Sequence, residues 1–118
     1  MTERNKLLLE RIEKFVADCV ALANRLPFTV SNKQILPQFI DSSSSVGANY
    51  HEACEAESAR DFVHKIKISK KECRESNYWL RMLSKSNTID LEEITKLEKE
   101  SEELSRIFSA IVSKFKHD

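Results

Sequence analysis

Acids and histidines three positions apart are the residues most able to hold a metal ion. Asp61 and His64 have this spacing, and so do Glu72 and Glu75. Di-iron four-helix bundles bind metal with a Glu from each of two helices and a Glu-x-x-His pair from each of the other two. Here both pairs fall within one predicted helix, and the other two histidines fit no recognised ligand spacing. We therefore predict no metal site and no cofactor.

Nucleophilic catalysis has equally little support in the sequence. Cys19, Cys54 and Cys73 fall on apolar stripes of predicted helices, and no third group is placed to orient a cysteine–histidine pair. A serine elbow needs strands and a phosphate-binding loop needs several glycines, whereas Gly47 is the only glycine. We predict no catalytic residue and no enzymatic activity. The odd number and wide spacing of the cysteines indicate buried free thiols in a reducing cytoplasm.

A line of cations on the third predicted helix has the chemistry to contact phosphate. Residues 58–89 carry eight basic and three acidic side chains, although the whole chain is neutral, with 19 of each. We call this line the basic stripe; at alternating four- and three-residue spacing it contains Arg60, His64, Lys67, Lys71, Arg74, Tyr78, Arg81 and Lys85. It lies about 200° from the apolar seam, at ~100° per residue, and should face outward.

The basic stripe has two interpretations. Its six members from Lys67 to Lys85 suit RNA, because cations contact phosphates and Tyr78 offers a ring for an unpaired base to stack on. The stripe equally suits a solvated face, or one that pairs with the acidic second and fourth helices of a neighbouring copy. Since the chain is neutral overall, we expect any RNA binding to be weak and guided by shape.

Six further polar residues lie on or beside predicted apolar stripes. They are Asn49, Glu52, Asp61, Lys65, Glu72 and Glu75. Buried amides and carboxylates need partners. We therefore predict that these residues form a structural polar network that fixes the register of the helices. Trp79 follows Glu72 and Glu75 on one stripe, and we predict that it anchors the core or an interface.

The elements that position these residues are helices. The 118 residues support one domain, 1–118, and one glycine with two prolines is too few for the turns of an all-β fold. Four helices are predicted at about 3–26, 32–56, 59–85 and 90–116, with Ser58 and Asp90 marking two of the starts. Each carries an apolar seam with a period near 3.5. The seams include Phe39 and Asn49 of helix two, Ile66 of helix three and Leu104 of helix four. This pattern predicts an all-α, up-down-up-down left-handed four-helix bundle.

Helices one to three carry more apolar surface than one bundle core needs. The second stripes contain Leu9, Val16, Val20 and Ala23; Leu36, Ile40, Ser43, Gly47, Tyr50 and Cys54; and Ile68, Trp79 and Met82. One interpretation is that a thick bundle buries them; since small monomers rarely expose such contiguous surface, we favour self-association. No run approaches the ~20 apolar residues of a membrane span, and we predict no membrane partner.

Three sequence blocks cover about the middle third of the chain: Asn49–Ala53, Ser58–Lys65 and Glu72–Leu80. In order and spacing they resemble the family of 23S rRNA intervening-sequence proteins. The family pattern is close to N-Y-x-E-A, S-x-x-D-F-x-x-K and E-x-x-E-x-x-Y-W-L. Ser76 stands where many members have Thr.

The resemblance implies a four-helix bundle without enzymatic activity, assembled as a ring-shaped homo-oligomer, commonly a pentamer. A related group serves as accessory protein to a retroelement reverse transcriptase and binds nucleic acid through basic surface. Our leading hypothesis is thus a bacterial, cytoplasmic, oligomeric bundle that binds structured RNA or a protein–RNA complex. The alternative is an oligomeric scaffold for a protein partner with no nucleic-acid role.

Overall fold

A computed structural model of the chain describes residues 2–115. The described residues form four α-helices and contain no strand. The helices are α1 (Glu3–Arg25), α2 (Val30–Cys54), α3 (Ala59–Ser86) and α4 (Leu91–Ser113). The predicted bounds agree with these to within three residues, and residue 116, the predicted end of helix four, lies outside the described range. The prediction of an all-α four-helix bundle is confirmed.

Side-chain caps determine where three of the helices begin. Thr2, Thr29 and Ser58 each accept a hydrogen bond from the backbone N–H three residues later, at 3.0–3.1 Å. The cap at Thr29 explains why α2 begins two residues earlier than predicted. At the start of α4, Asp90 has a left-handed backbone (φ 55°) and makes no side-chain cap. Its carboxylate instead pairs with Arg25 at 3.5 Å.

Sequential helices pack side by side, and α1 also packs on α4; across the bundle, the Tyr50 ring of α2 reaches the Phe108 ring of α4, with centroids 6.2 Å apart. Asn32 at the start of α2 bonds Asn87 just after α3, whereas Glu52 near the end of α2 pairs with Lys65 near the start of α3. The two helices therefore run antiparallel. The left-handed twist of the bundle stays a prediction.

The predicted seams supply most of the core. The large side chains without exposure include Phe15, Leu22, Phe39, Tyr50, Ile66, Leu80, Leu83, Leu104 and Phe108. Burying each side chain of this kind contributes about 1.5–3 kcal/mol. Tyr50 was placed on the second stripe of helix two, and Asn49 on the seam. Tyr50 is buried and Asn49 half-buried, because a 3.6-residue helix drifts from a 3.5-residue repeat.

The second stripes of α1 and α2 cover each other in part. A Cβ at Gly47 would lie 3.3 Å from a Val16 methyl carbon, so glycine allows a close approach there. The most exposed large apolar side chains lie elsewhere, mainly at the ends of the bundle. Phe28, Val30, Ile89 and Leu91 are at the end that holds the α1–α2 and α3–α4 connections; Leu7 and Phe115 are at the other.

Candidate nucleic-acid interface

The outer face of α3 carries the whole basic stripe. All eight of its residues are exposed, from Arg60 to Lys85. They are exposed because the opposite face of the helix buries Ile66, Cys73 and Leu80 in the core. The stripe has the orientation that phosphate contact requires, and its role stays a prediction.

In the second half of the helix, residues 75–87, amide side chains fasten α3 to α4. The Asn77 amide nitrogen donates to the carbonyl of Glu98 at 3.2 Å and to the hydroxyl of Ser101 at 2.9 Å. The Asn77 side-chain oxygen accepts from Nε of Arg81 at 3.1 Å. One stripe cation, Arg81, is therefore held against its own helix.

A second amide pair fastens the same half to α2. Asn32 donates to Oδ1 of Asn87 at 2.8 Å, and Asn87 donates to Oδ1 of Asn32 at 3.0 Å. Asn32 also donates to the carbonyl of Pro27, and Asn87 to that of Leu83. Since both side chains are buried, these bonds join the two connections at one end of the bundle.

In the first half, residues 60–74, the cations border the groove toward α4. Two adjoining depressions share Lys67, one floored by Val112 and the other by Phe115. We call this surface the basic cleft, and its cations are Arg60, Lys67, Lys70, Lys71, Arg74 and Lys114. Within residues 2–115 none of them forms an ion pair. Lys70 and Lys114 were not in the predicted site.

The six residues predicted to share a polar network do not form one connected network. Only Glu52 and Lys65 meet, as an ion pair at 3.1 Å. Asn49 donates to a backbone carbonyl one turn earlier in its own helix, and the backbone N–H of Asp61 bonds the α3 cap. The physical reason is position, because these side chains lie beside the buried face of each helix: none of the six is buried.

Glu72 and Glu75 lie on the face of α3 that is toward α2. Glu72 is half-buried and Glu75 exposed. Burial raises the pKa of the Glu72 carboxyl, and the charges of Glu75 and Asp41 raise it further. These three acids make the α2 side of α3 unfavourable for a polyanion.

The buried hydrogen bonds lie on the seams, where small polar residues stand between apolar ones. The hydroxyls of Ser42 and Ser76 bond each other at 2.9 Å across α2 and α3. The Ser69 hydroxyl donates to the Val46 carbonyl at 3.1 Å. Such small side chains let the two backbones approach closely. The serine run of residues 42–45 is therefore part of the packed helix α2, and Ser42 and Ser43 are buried.

Trp79 is half-buried and packs against the core. Its indole nitrogen is buried and has no hydrogen-bond partner among the described residues. The ring meets that of Tyr78 edge to face, with centroids 4.9 Å apart. Trp79 therefore packs against the exposed ring of Tyr78.

The thiols have no reactive environment. Cys19 and Cys73 are buried, and burial raises the pKa of both, to about 12 for Cys73. A thiol of this kind stays protonated near neutral pH and is a poor nucleophile. Residues 2–115 place no three His, Cys, Asp or Glu side chains where they would bind one metal ion. None of the four described helices has the length and apolarity that a bilayer crossing requires.

The described residues form an all-α bundle whose apolar core contains several buried hydrogen bonds. The exposed face of α3 carries a line of cations. The sequence profile of the family described as 23S rRNA-intervening sequence protein matches residues 5–110, and the chain belongs to this family. The resemblance seen in three short blocks is thereby confirmed over most of the chain.

A solved structure supports the same fold. It is the crystal structure of a protein of unknown function from the S23 ribosomal protein family of Bacteroides thetaiotaomicron. The two chains are 29% identical and superpose with a TM-score of 0.76, covering 88% of this chain and 96% of the other. No curated protein matches this chain.

Proposed function

We propose that this protein is a non-enzymatic, oligomeric bundle of the bacterial cytoplasm that binds structured RNA, alone or within a protein–RNA complex. The observation that carries the proposal is the exposure of the whole basic stripe on α3. Contacts between such cations and phosphates release counterions and drive binding without reading the sequence. The three free cysteines suit a reducing compartment.

The neutral net charge limits the affinity of one subunit, because acidic helices partly cancel the long-range field. Tyr78 is 50% exposed and offers a stacking surface in the middle of the stripe. In a ring, each copy would repeat the stripe, and several weak contacts to one RNA would add through multivalency.

An anisotropy titration against a labelled RNA hairpin, at 50 and 150 mM salt, tests this function. The variant Lys67→Ala/Lys71→Ala/Arg74→Ala should bind more weakly and with a smaller salt dependence. The matched control Lys6→Ala/Lys33→Ala/Lys96→Ala removes the same charge from exposed positions on the other three helices and should bind like wild type. Absence of wild-type binding at 50 mM salt, or equal binding by the α3 variant, would overturn the proposal.

The oligomer is part of the proposal, with five subunits as the expected number. The support is the family resemblance together with the half-buried apolar residues outside the seams, such as Ile40, Ile68 and Met82. Light scattering over a dilution series should give about five times 13.7 kDa. Ile68→Gln should lower that mass, whereas Lys67→Gln, one residue away on the exposed face, should not. A monomer mass at micromolar concentration would contradict self-association.

A scaffold for a protein partner is the second candidate. Exposed apolar residues at one end of the bundle favour it, above all Phe28, which is 90% exposed. Apolar side chains in such positions are suited to a protein interface rather than to phosphates. If wild type does not bind the hairpin at low salt, this function takes first place.

A further inference from the structure

We infer that RNA binds in the basic cleft between α3 and α4, as a run of consecutive phosphates, and not along the whole basic stripe. The inference rests on the proposed function and specifies its site. It differs from the six-residue sequence-based site in two respects: it adds Arg60, Lys70 and Lys114, and it leaves out the cations Arg81 and Lys85.

Charge divides the α3–α4 surface into two unequal halves. Residues 60–74 of α3 have a formal charge of +4, and residues 104–115 of α4, which contain no acid, have +2. Residues 75–86 have +1, but residues 92–103 of α4 contain six glutamates and have −4. Because α3 and α4 are antiparallel, as the Asn77–Ser101 bond shows, the two positive segments adjoin each other. Counted over all faces of the two helices, the cleft half therefore has +6 and the other half −3; within these sums Arg106 pairs with Glu103, and Glu100 pairs with Arg11 of α1.

Hydrogen bonding separates the same two halves. Arg81 donates to Asn77, which is itself bonded to α4, so its guanidinium is partly engaged. The cleft cations make no ion pair within residues 2–115, and one neighbour that does, Lys65, pairs with Glu52 on the opposite side of α3. Of the six α3 cations with neither an ion pair nor a side-chain hydrogen bond within residues 2–115, five lie in the cleft half and the sixth is Lys85.

The shape of the cleft favours a chain of phosphates over a single anion. From Arg60 to Arg74 the helix rises about 21 Å, at ~1.5 Å per residue. Lys67 and Lys71 stand on the exposed face of α3, whereas Lys114 comes from α4, so the cations border the groove from both helices. A concave surface with one sign of charge strengthens the local potential. On the other side of α3, Asp41, Glu72 and Glu75 repel a polyanion.

Two matched double variants on one helix test the inference. Lys67→Gln/Lys71→Gln removes two cleft cations, and Arg81→Gln/Lys85→Gln removes two cations of equal spacing from the other half. Glutamine retains much of the aliphatic stem of each side chain. The first pair should lower affinity for a labelled RNA hairpin roughly tenfold at 50 mM salt and reduce the salt slope by about 2, or ~1 per phosphate contact. The second should change affinity by less than about twofold.

A third variant, Lys70→Gln/Lys114→Gln, tests whether the site spans both helices, and it should also reduce the slope by about 1–2. Helicity and melting temperature show whether each variant is folded; a single variant from the same pair at an exposed position, Lys71→Gln, Lys85→Gln or Lys114→Gln, replaces any double variant that is not. Equal losses in both halves of α3, or no effect of the third variant, would overturn the inference while RNA binding stands. If wild type does not bind the hairpin, the proposed function fails, and the inference fails with it.

Discussion

The cations of the basic stripe have different surroundings in the two halves of α3. In residues 75–87, Asn77 bonds α4 and also accepts from Arg81, and Asn87 bonds α2. In residues 60–74 the cations of the stripe make neither an ion pair nor a side-chain hydrogen bond within residues 2–115, and the bonds to other helices come from residues off the stripe. The neighbouring segment, residues 104–115, contains no acid. Position along the bundle, and not spacing alone, therefore decides whether a cation of the stripe is held by its own helix or is free for a ligand.

The strongest test of the hydrogen bonds that join residues 75–87 to other helices is Asn87→Ala. This change should lower the free energy of unfolding by about 2–3 kcal/mol, because it leaves the buried Asn32 amide without its partner. Urea unfolding provides the measurement. Asn49→Ala is the control: its half-buried amide makes one bond within its own helix, and the loss should be about 0.5–1 kcal/mol. Equal effects of the two changes would contradict a locking role for Asn87.

Trp79 tests how much side-chain packing in the second half of α3 contributes to the free energy of unfolding. Trp79→Ala should cost about 2–3 kcal/mol, below the ~3–5 kcal/mol of a fully buried aromatic, because Trp79 is only half-buried. Trp79→Phe should cost about 1 kcal/mol or less, since the indole N–H has no partner to lose. Thermal unfolding with light scattering measures both. If phenylalanine costs as much as alanine, or if it dissociates the oligomer, the N–H has a partner in the assembly.

The sequence predicted the fold well because its signals are local. Heptad spacing placed residues such as Phe39, Ile66 and Leu104 in the core, and the Ser58 cap was confirmed at 3.0 Å. Asp90 marks the start of α4 as predicted, but through its backbone conformation and its pair with Arg25. That pair joins residues distant in sequence, which spacing within one helix does not predict.

The candidate site was predicted less completely for the same reason. Spacing within α3 predicted an outward line of cations. Lys70 is off that line, and Lys114 enters the cleft only through the packing of α4 on α3. Likewise Asn32 and Asn87 are 55 residues apart, and only the antiparallel register brings their amides together. The absence of acids from residues 104–115 was the one sequence signal that pointed to the cleft.

Tyr78 lies near the start of the second half of α3, close to the basic cleft, and tests where the site ends. If an unpaired base stacks on its ring, Tyr78→Ala should weaken hairpin binding by about 1 kcal/mol, at the lower end of the ~1–3 kcal/mol measured for stacked bases. Tyr78→Phe keeps the ring and should bind like wild type. Anisotropy with a hairpin whose loop is single-stranded, compared with a fully paired duplex, measures the effect. An equal loss on both RNAs would contradict stacking on an unpaired base.

The smallest expected effect is on the acidic side of α3, at Glu72. Its pKa is raised in the folded protein, chiefly by burial and then by the charge of Glu75, so ionisation opposes folding. The cost is complete at neutral pH and disappears as pH falls through the folded pKa and the carboxyl takes up a proton. Glu72→Gln should therefore raise the free energy of unfolding at pH 7 by about 0.5 kcal/mol or less, because solvent screens a half-exposed group. At pH 3 the variant and wild type should be equally stable.

Urea unfolding from pH 3 to pH 7 tests the sign of this effect, with Glu57→Gln at an exposed position as the control. A Glu72→Gln protein that is less stable than wild type at pH 7 would mean that the carboxylate has a favourable partner. Glu72 would then stabilise the packing of the helices rather than repel RNA.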